Sequence, residues 1–378
     1  MPVSDFANRT CFVGVGSTPQ GQLPDKSGDD IALWAFQLAL EDCGLEKNDI
    51  DGLFVQHSFG GQGDLDEIAQ RLGLEPKISA NIAPGGGRLF HLAATQVYAG
   101  MCDYAACVYG TNQRTNRNRF AGSPHHPSGN FPQVYGQFNP GSVAAFNYRR
   151  RMHDFGATEE QLGAVAVAQS KGAALNPLAV FRDVLTIEDY MSNRYVIEPL
   201  RLVDFCFPTD GGFTFIITTP ERAKNLKKPP VYIAGSAAQD SYLQLQHPDA
   251  MYHPSQLANG KRQFESTGYT PKDIDAMYVQ DAYTPNVLAA LENYGFCKFG
   301  EAQDWIQGGR IELGGEFPVN VNGGQNRETY MVGWNHTADA VRQLRGECGE
   351  RQIKDAEVIM CSYSHGLWQT TQSFILRK

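Results

Sequence analysis

Val319-Asn-Val-Asn-Gly-Gly-Gln-Asn-Arg-Glu-Thr-Tyr330, continued by Met331-Val-Gly-Trp-Asn-His336, is the stretch from which the fold is read. Its two adjacent glycines let the backbone turn tightly and aim N–H groups at a ligand. Beyond them Ala338 to Leu344 reads as a helix, with Val341 and Leu344 on one face and Arg342 and Arg345 outside. A Gly-rich turn feeding a helix is a place to hold a developing negative charge. Most Gly-Gly pairs are only turns. This one gains weight from what repeats around it.

Asp49-Ile-Asp-Gly-Leu-Phe-Val-Gln56 matches Asp273-Ile-Asp-Ala-Met-Tyr-Val-Gln280 in spacing and mostly in chemistry. Ala105-Ala-Cys-Val-Tyr-Gly110 has a counterpart in Val358-Ile-Met-Cys-Ser-Tyr363. Between the members of the first copy lie Gly85-Gly86-Gly87 and a helix; between those of the second lie Gly323-Gly324 and a helix. A single repeat of this length is not a solenoid. It implies an α/β protein of two similar βαβαβ halves packed about a pseudo-twofold axis. The N-terminal half spans residues 1–227, with an inserted loop domain at about 111–205, and the C-terminal half spans 228–378.

The local signals agree. Thr10 to Val15 and Asp51 to Gln56 read as strands, Asp29 to Cys43 and Asp64 to Leu72 as helices, and Tyr104 to Tyr109 as a buried strand. The glycine triplet opens a helix to about Ala99. Residues 111–140 lack periodicity, and a loop of that length usually covers something. Helices follow over Ser142–Phe155 and, capped by Thr158, to Leu175, where Asn176-Pro177 stops the helix. Asp210-Gly-Gly212 is expected to turn into a strand over Phe213–Thr218, and Lys227-Lys-Pro-Pro230 to link the halves.

At 378 residues, with 42% hydrophobic and 19% charged residues, the chain has ample material for a core. Lys plus Arg number 32 against 41 Asp plus Glu, a net −9 that argues against nucleic-acid binding. Apolar runs are too short for a membrane span and the first residues lack a secretory pattern, so a cytoplasmic protein is expected. The eight scattered cysteines form no CxxC or metal-ligand spacing and are expected to be buried, reduced thiols.

Several further stretches carry a resemblance: Asn176-Pro177, Pro199-Leu200, Asp210-Gly211, Leu291-Glu292 through Gly295-Phe296 to Gly300-Glu301-Ala302, Asn320-x-x-Gly323-Gly324, and Val341-Arg-Gln-Leu-Arg-Gly346. With the duplicated halves, they make the chain resemble the thiolase superfamily over nearly its whole length. It looks most like the sterol-carrier-type branch and the thiolase-like aldolases that trim CoA-activated steroid side chains. The resemblance implies a layered αβαβα fold, a homodimer, an acyl-CoA substrate and a small OB-fold, zinc-ribbon partner. No metal or cofactor is implied beyond the CoA of the substrate.

The departures bear on chemistry. The family's nucleophilic cysteine, aligned through His91-Leu92-Ala93, falls on Ala83, so no acyl-enzyme can form there. The Asn/His-Glu/Asp-Ala/Cys-Phe motif falls on Gln280-Asp281-Ala282-Tyr283, and the Gly-His-Pro histidine falls on Tyr330. The second family cysteine falls near Cys361, with Tyr363 in place of its glycine. A tyrosine at the histidine position is similar to the aldolases; Gln280 departs from them.

A retro-aldol cleavage of a β-hydroxyacyl thioester needs a base for the hydroxyl, a pocket for the enolate oxygen and a proton returned to carbon. None of these is a covalent nucleophile. Tyr330 is the leading acid/base candidate, and as a base its phenol must be tuned down from near 10. Asp281 can orient a donor or serve as a strand-end cap, and Gln280 can polarise a carbonyl but cannot be a base. Cys361 and His365 are further candidates, and His57, His125 and His126 have only their positions in their favour. Gly85, Gly86, Gly87, Gly323 and Gly324 are candidate substrate- or CoA-binding positions and oxyanion donors; His336 is a candidate substrate-binding residue whose spacing favours facing away or capping. The expected activity is retro-aldol cleavage of a β-hydroxyacyl-CoA, with a steroid or bile-acid side chain as its acyl group. The alternatives are a thiolase-like C-acyltransferase or condensing component using Cys361 or a partner's group, and a non-catalytic acyl-CoA-binding scaffold subunit.

Overall fold

The computed structural model describes residues 5–58, 63–82, 85–117, 139–240, 252–365 and 370–378. Ala83, His125, His126 and most of the 111–140 segment lie outside the described residues, as does the side chain of His365.

The first run comprises β1 (Cys11–Ser17), α1 (Gly28–Cys43), β2 (Gly52–Gln56), α2 (Leu65–Leu72), β3 (Ile78–Ile82), α3 (Gly86–Tyr98) and β4 (Ala105–Asn112). The insertion holds α4 (Pro140–Phe155), α5 (Glu159–Ala174) and α6 (Ile187–Ser192), then the short hairpin of β5 (Tyr195–Ile197) and β6 (Leu200–Arg201). The chain returns through β7 (Asp210–Thr218) and α7 (Pro220–Ala223). The second run is β8 (Val231–Asp240), α8 (Pro254–Thr267), β9 (Ala276–Val279), α9 (Pro285–Asn293), α10 (Ala302–Trp305), α11 (Gly324–Arg327), α12 (Trp334–Arg345), β10 (Val358–His365) and β11 (Thr370–Arg377).

Local chemistry fixes the helix ends. Ser27 caps α1 by accepting from the Asp30 N–H, while the Asp30 carboxylate accepts from the Ser27 N–H. Thr158 and Gln161 repeat this reciprocal pair at α5. Each such cap is worth about 1 kcal/mol. Gly44, at φ +78°, ends α1 in a left-handed conformation that an L side chain would strain.

The strands form one nine-stranded sheet in the order β3-β2-β4-β7-β1-β8-β11-β10-β9. Outward from the β1–β8 junction the two sides follow the same plan. On one side the order is β1-β7-β4-β2-β3; on the other it is β8-β11-β10-β9, beyond which Val319 bridges Met277 in parallel at the place β3 occupies opposite. The repeated sequences hold equivalent positions: β2 and β4 pair in parallel at Gly52 and Ala105, β9 and β10 at Ala276 and Ile359.

Helices α3 and α12 touch strands of both sides and form the central layer. Outside it, α1 covers β1, β4 and β7, while α8 covers β8 and β11 and α9 covers β9. This is the αβαβα layering expected. The middle layer is aromatic: Phe90 meets Trp334 at 4.7 Å, Phe215 at 4.9 Å and Phe12 at 5.7 Å, all edge to face. Such pairs add about 0.5–1.5 kcal/mol each beyond area burial.

Two expectations are corrected. Asp210-Gly-Gly212 is not a turn but the first part of β7, paired through Asp210 to Asn112 and through Gly212 to Gly110. The glycines serve close packing there, because a Cβ at Gly212 would lie 2.9 Å from the Ile31 carbonyl oxygen. Strand β3 went unread, because Ile78-Ser-Ala-Asn-Ile82 alternates weakly and sits half-buried at the sheet edge. No helix among the described residues is long and apolar enough to cross a membrane.

Candidate active site

The expected residues gather where the C-terminal ends of β2 and β9 meet the starts of α3, α11 and α12. Gln56 closes β2 and Gln280 follows β9, the pair that the sequence repeat aligned. Gln56 Oε1 accepts from the Gly85 N–H at 3.2 Å and from Trp334 Nε1 at 2.8 Å. Gln280 Oε1 accepts from the Ser364 N–H at 3.1 Å. That bond fixes the carboxamide of Gln280 and leaves its amide nitrogen as the end able to face a carbonyl.

Gly86 and Gly87 begin the 13-residue helix α3 in tight packing against the second half. A Cβ at Gly86 would meet Trp334 Nε1 at 2.6 Å, and one at Gly87 would meet the Tyr363 ring at 2.6 Å. Only glycine lets the helix start come this close. Its N-terminal dipole end and first amides suit a developing anion.

Gly323 and Gly324 have a different use. They open the four-residue α11, and the long helix begins separately at Trp334, after Gly333. The Gly323 N–H donates to the Asn320 carbonyl at 2.9 Å, and the Gly324 N–H to Asn322 Oδ1 at 3.3 Å. These amides build the turn and are not presented to a substrate. Both φ values are positive, +110° and +65°, so the turn depends on glycine.

Asp281 is fully buried and holds this turn in place. Its Oδ1 accepts from the Gln325 N–H and from His336 Nε2, both at 2.9 Å, and its Oδ2 accepts from Gln169 Nε2. Gln169 comes from α5 in the insertion, so the carboxylate joins three separate parts of the chain. His336 does not face away, as expected from its spacing, but lies buried with its ring between Asp281 and Asn322. It lies on the first turn of α12, which begins at Trp334, four residues before the helix start read from the sequence at Ala338.

Tyr330 is 7% exposed beside Cys206, Tyr109 and Tyr283. Its backbone carbonyl accepts from Thr209 Oγ1 at 3.3 Å. Burial, followed by the neighbouring thiol and phenols, pushes its hydroxyl well above the usual range. The downward tuning that a base requires is therefore not found. The environment keeps the phenol protonated, which suits a donor. Cys206, whose N–H donates to the Ala282 carbonyl at 2.9 Å, brings the Tyr330 surroundings next to Asp281.

Cys361 is 1% exposed in β10, and burial pushes its thiol far up. A nucleophilic cysteine needs the opposite. His57 is exposed and makes no part of this cluster. Among the described residues no group of three or more His, Cys, Asp or Glu could hold a metal ion. Gln169, Asn322, Glu328, Cys206 and Trp334 were not anticipated. Of these Asn322, Glu328 and Trp334 lie within the stretch that opened the reading, while Gln169 comes from the insertion and Cys206 from just beyond it.

Residues 236–378 match the family model described as "Thiolase C-terminal domain-like". The chain is 35% identical to a "Steroid side-chain-cleaving aldolase" of Thermomonospora curvata over 364 residues, covering 91% of this chain and 92% of the relative. It is 34% identical to a "17-hydroxy-3-oxo-4-pregnene-20-carboxyl-CoA lyase" of Mycobacterium tuberculosis, covering 90% and 92%. Among solved structures, an "Ltp2-ChsH2(DUF35) aldolase" superposes with a TM-score of 0.90 at 31% identity, covering 98% of each chain. This likeness extends along nearly the whole chain: the protein belongs to the thiolase-fold family of steroid side-chain-cleaving aldolases.

Proposed function

We propose that this chain cleaves the carbon–carbon bond between the α- and β-carbons of a β-hydroxyacyl-CoA by a retro-aldol reaction, with a steroid side-chain thioester as its substrate class. The observation that carries the reading is the buried Tyr330, whose phenol is held well above its usual range beside Cys206, Tyr109 and Tyr283, and to which the family resemblance assigns the place of a proton-transferring histidine. The phenol gives its proton to the α-carbon as the bond breaks and takes the proton of the β-hydroxyl. It therefore begins and ends each turnover neutral. The β-carbon leaves as a ketone and the α-carbon stays on a shortened acyl-CoA. The amide nitrogen of Gln280 and the start of α3 hold the enolate oxygen, while Asp281 and His336 position the turn that carries Tyr330.

This reading excludes an acyl-enzyme. Incubation with a β-hydroxyacyl-CoA is expected to release ketone and shortened acyl-CoA in equal amounts, with the intact mass of the quenched protein unchanged. A stoichiometric acyl adduct on Cys361 would replace the aldolase reading with the C-acyltransferase. Substrate bound but never turned over would leave the scaffold.

The working assembly is a homodimer joined to a second, OB-fold protein. Strand β3 supports the first part: it ends the sheet with half-buried Ile78, Ala80 and Ile82, an edge that a second copy can extend. The likeness to a solved aldolase named for two components supports the second. Light scattering is expected to give a dimer, and the OB-fold protein is expected to raise activity. A monomer fully active alone would refute the assembly.

A further inference from the structure

Glu328 is a completely buried carboxylate that the reaction described above does not use. It lies two residues before Tyr330 and accepts hydrogen bonds from three asparagine side chains. Asn176 Nδ2 donates to one oxygen at 3.0 Å; Asn335 Nδ2, at 2.7 Å, and Asn322 Nδ2 donate to the other. Asn322 is thereby held at both ends of its carboxamide, since its Oδ1 also accepts from the Gly324 N–H. In that orientation the second hydrogen on Asn322 Nδ2 points to His336 Nδ1, 3.1 Å away.

A ring nitrogen that accepts a hydrogen bond carries no proton. His336 therefore holds a single proton, on Nε2, and donates it to Asp281 at 2.9 Å. If Asn322 could turn over, its oxygen would face Nδ1 and invite a second proton. The imidazole would become a cation beside Asp281, and the hydrogen bonding that seats the turn before Tyr330 would change in charge. We propose that Glu328 is a positioning residue which, by fixing the side chain of Asn322, keeps His336 neutral with its one N–H on Asp281. The inference rests on the proposed role of Asp281 and His336 in seating Tyr330.

The surroundings of the group support it. Charged side chains facing Glu328 are Asp339 from α12 and Arg351 from beyond it; His336 is joined to it through Asn322, Asp281 faces His336, and Tyr278 lies beside its ring at 6.0 Å. Burial, with a smaller push from Asp339, raises the Glu328 carboxyl to about 7, against the hydrogen bonds of Asn335 and Asn176 and the charge of Arg351. Asn335 Oδ1 has no partner among the described residues. A turn of that carboxamide would let it accept from a protonated Glu328, so the site can take up a proton without leaving it stranded. A protonated Glu328 is a weaker anchor for Asn322 than the carboxylate is.

The test reads the proton positions of His336 directly in the substrate-free protein, by nitrogen NMR with 15N-labelled histidine, assigned with a His336→Asn chain. At pH 8 the wild-type protein is expected to carry one ring proton, on Nε2. Glu328→Gln is expected to give the doubly protonated ring at pH values where the wild type is neutral. It should also move the acid limb of kcat upward by about a tenfold change in proton concentration while KM stays unchanged. A wild-type ring protonated on Nδ1 at pH 8 would overturn the proposal. So would a folded Glu328→Gln chain with unaltered ring signals and pH profile, which would make Glu328 a brace only. If that chain does not fold, the wild-type ring signals decide alone, and a proton found on Nδ1 at pH 8 refutes the proposal. The ring signals need no substrate, so a chain that fails to cleave β-hydroxyacyl-CoA would leave this test standing.

Discussion

Tyr330→Phe is expected to cut single-turnover cleavage of a β-hydroxyacyl-CoA by about 10²–10⁴-fold, the usual contribution of a general acid–base group. At 1.36 kcal/mol per decade this is roughly 3–5 kcal/mol of barrier. The substitution keeps the ring, which sits among Cys206, Tyr109 and Tyr283, and deletes only the hydroxyl. No large cavity forms, so stability and substrate binding should change far less. The upward push on the phenol adds a second expectation. Because Tyr330 starts neutral, raising the pH toward the ordinary phenol value of about 10 should not abolish the wild-type rate. Run in deuterated water, the wild-type reaction should place one deuterium on the α-carbon of the shortened acyl-CoA, and the variant should lose this transfer in step with its rate. Near-normal cleavage by a well-folded Tyr330→Phe protein would remove Tyr330 from the chemistry.

The plan of the fold was legible because it is written twice. Asp49–Gln56 and Asp273–Gln280 occupy equivalent strands, and their closing glutamines do equivalent work, one holding the Gly85 N–H and the other the Ser364 N–H. Helix caps such as Ser27 and Thr158 were legible for a similar reason, since a cap is a local pattern of a few residues. Strand β3 was not, because Ile78-Ser-Ala-Asn-Ile82 alternates too weakly to read as a strand. The site divides the same way. Tyr330, Asp281 and Gln280 could be placed by register with a known family. The direction in which Tyr330 is tuned could not, since it depends on Cys206, Tyr109 and Tyr283 arriving from three other segments. His336 was misjudged because helical spacing from Tyr330 was assumed. The chain instead leaves α11, passes through Val332 and Gly333 with positive φ, and starts a new helix at Trp334. Nothing in the sequence pairs Gln169 with Asp281, 112 positions apart.

That pairing carries the second large effect. Asp281→Asn is nearly isosteric, yet one of its two ends becomes a donor facing donors. If the retained oxygen keeps Gln325 N–H and His336 Nε2, the new amide meets Gln169 Nε2. Gln169 can turn its carboxamide over, but its oxygen already accepts from Asn326 Nδ2 at 3.4 Å, so relief requires Asn326, whose Oδ1 has no partner among the described residues, to turn with it, and the cost of one unmatched group is an upper figure. A buried polar group left unmatched costs about 1–3 kcal/mol, and the folded protein should lose at most about that much in denaturant titration. The rate should suffer more than the stability. Gln325 opens the segment that leads to Tyr330, and a displacement of about 1 Å at a reacting group can cost about 10²-fold. Adding Gln169→Glu to Asp281→Asn supplies an acceptor for both the new amide and Asn326 Nδ2, and returns the lost negative charge to almost the same place. We expect this double substitution to recover most of the stability and part of the rate, although Gln169→Glu alone should be harmful because it sets two carboxylates against each other. A cycle in which the double variant is no more stable than the sum of the singles would show that Gln169 and Asp281 do not act as a pair, and that the seat of Tyr330 is built some other way.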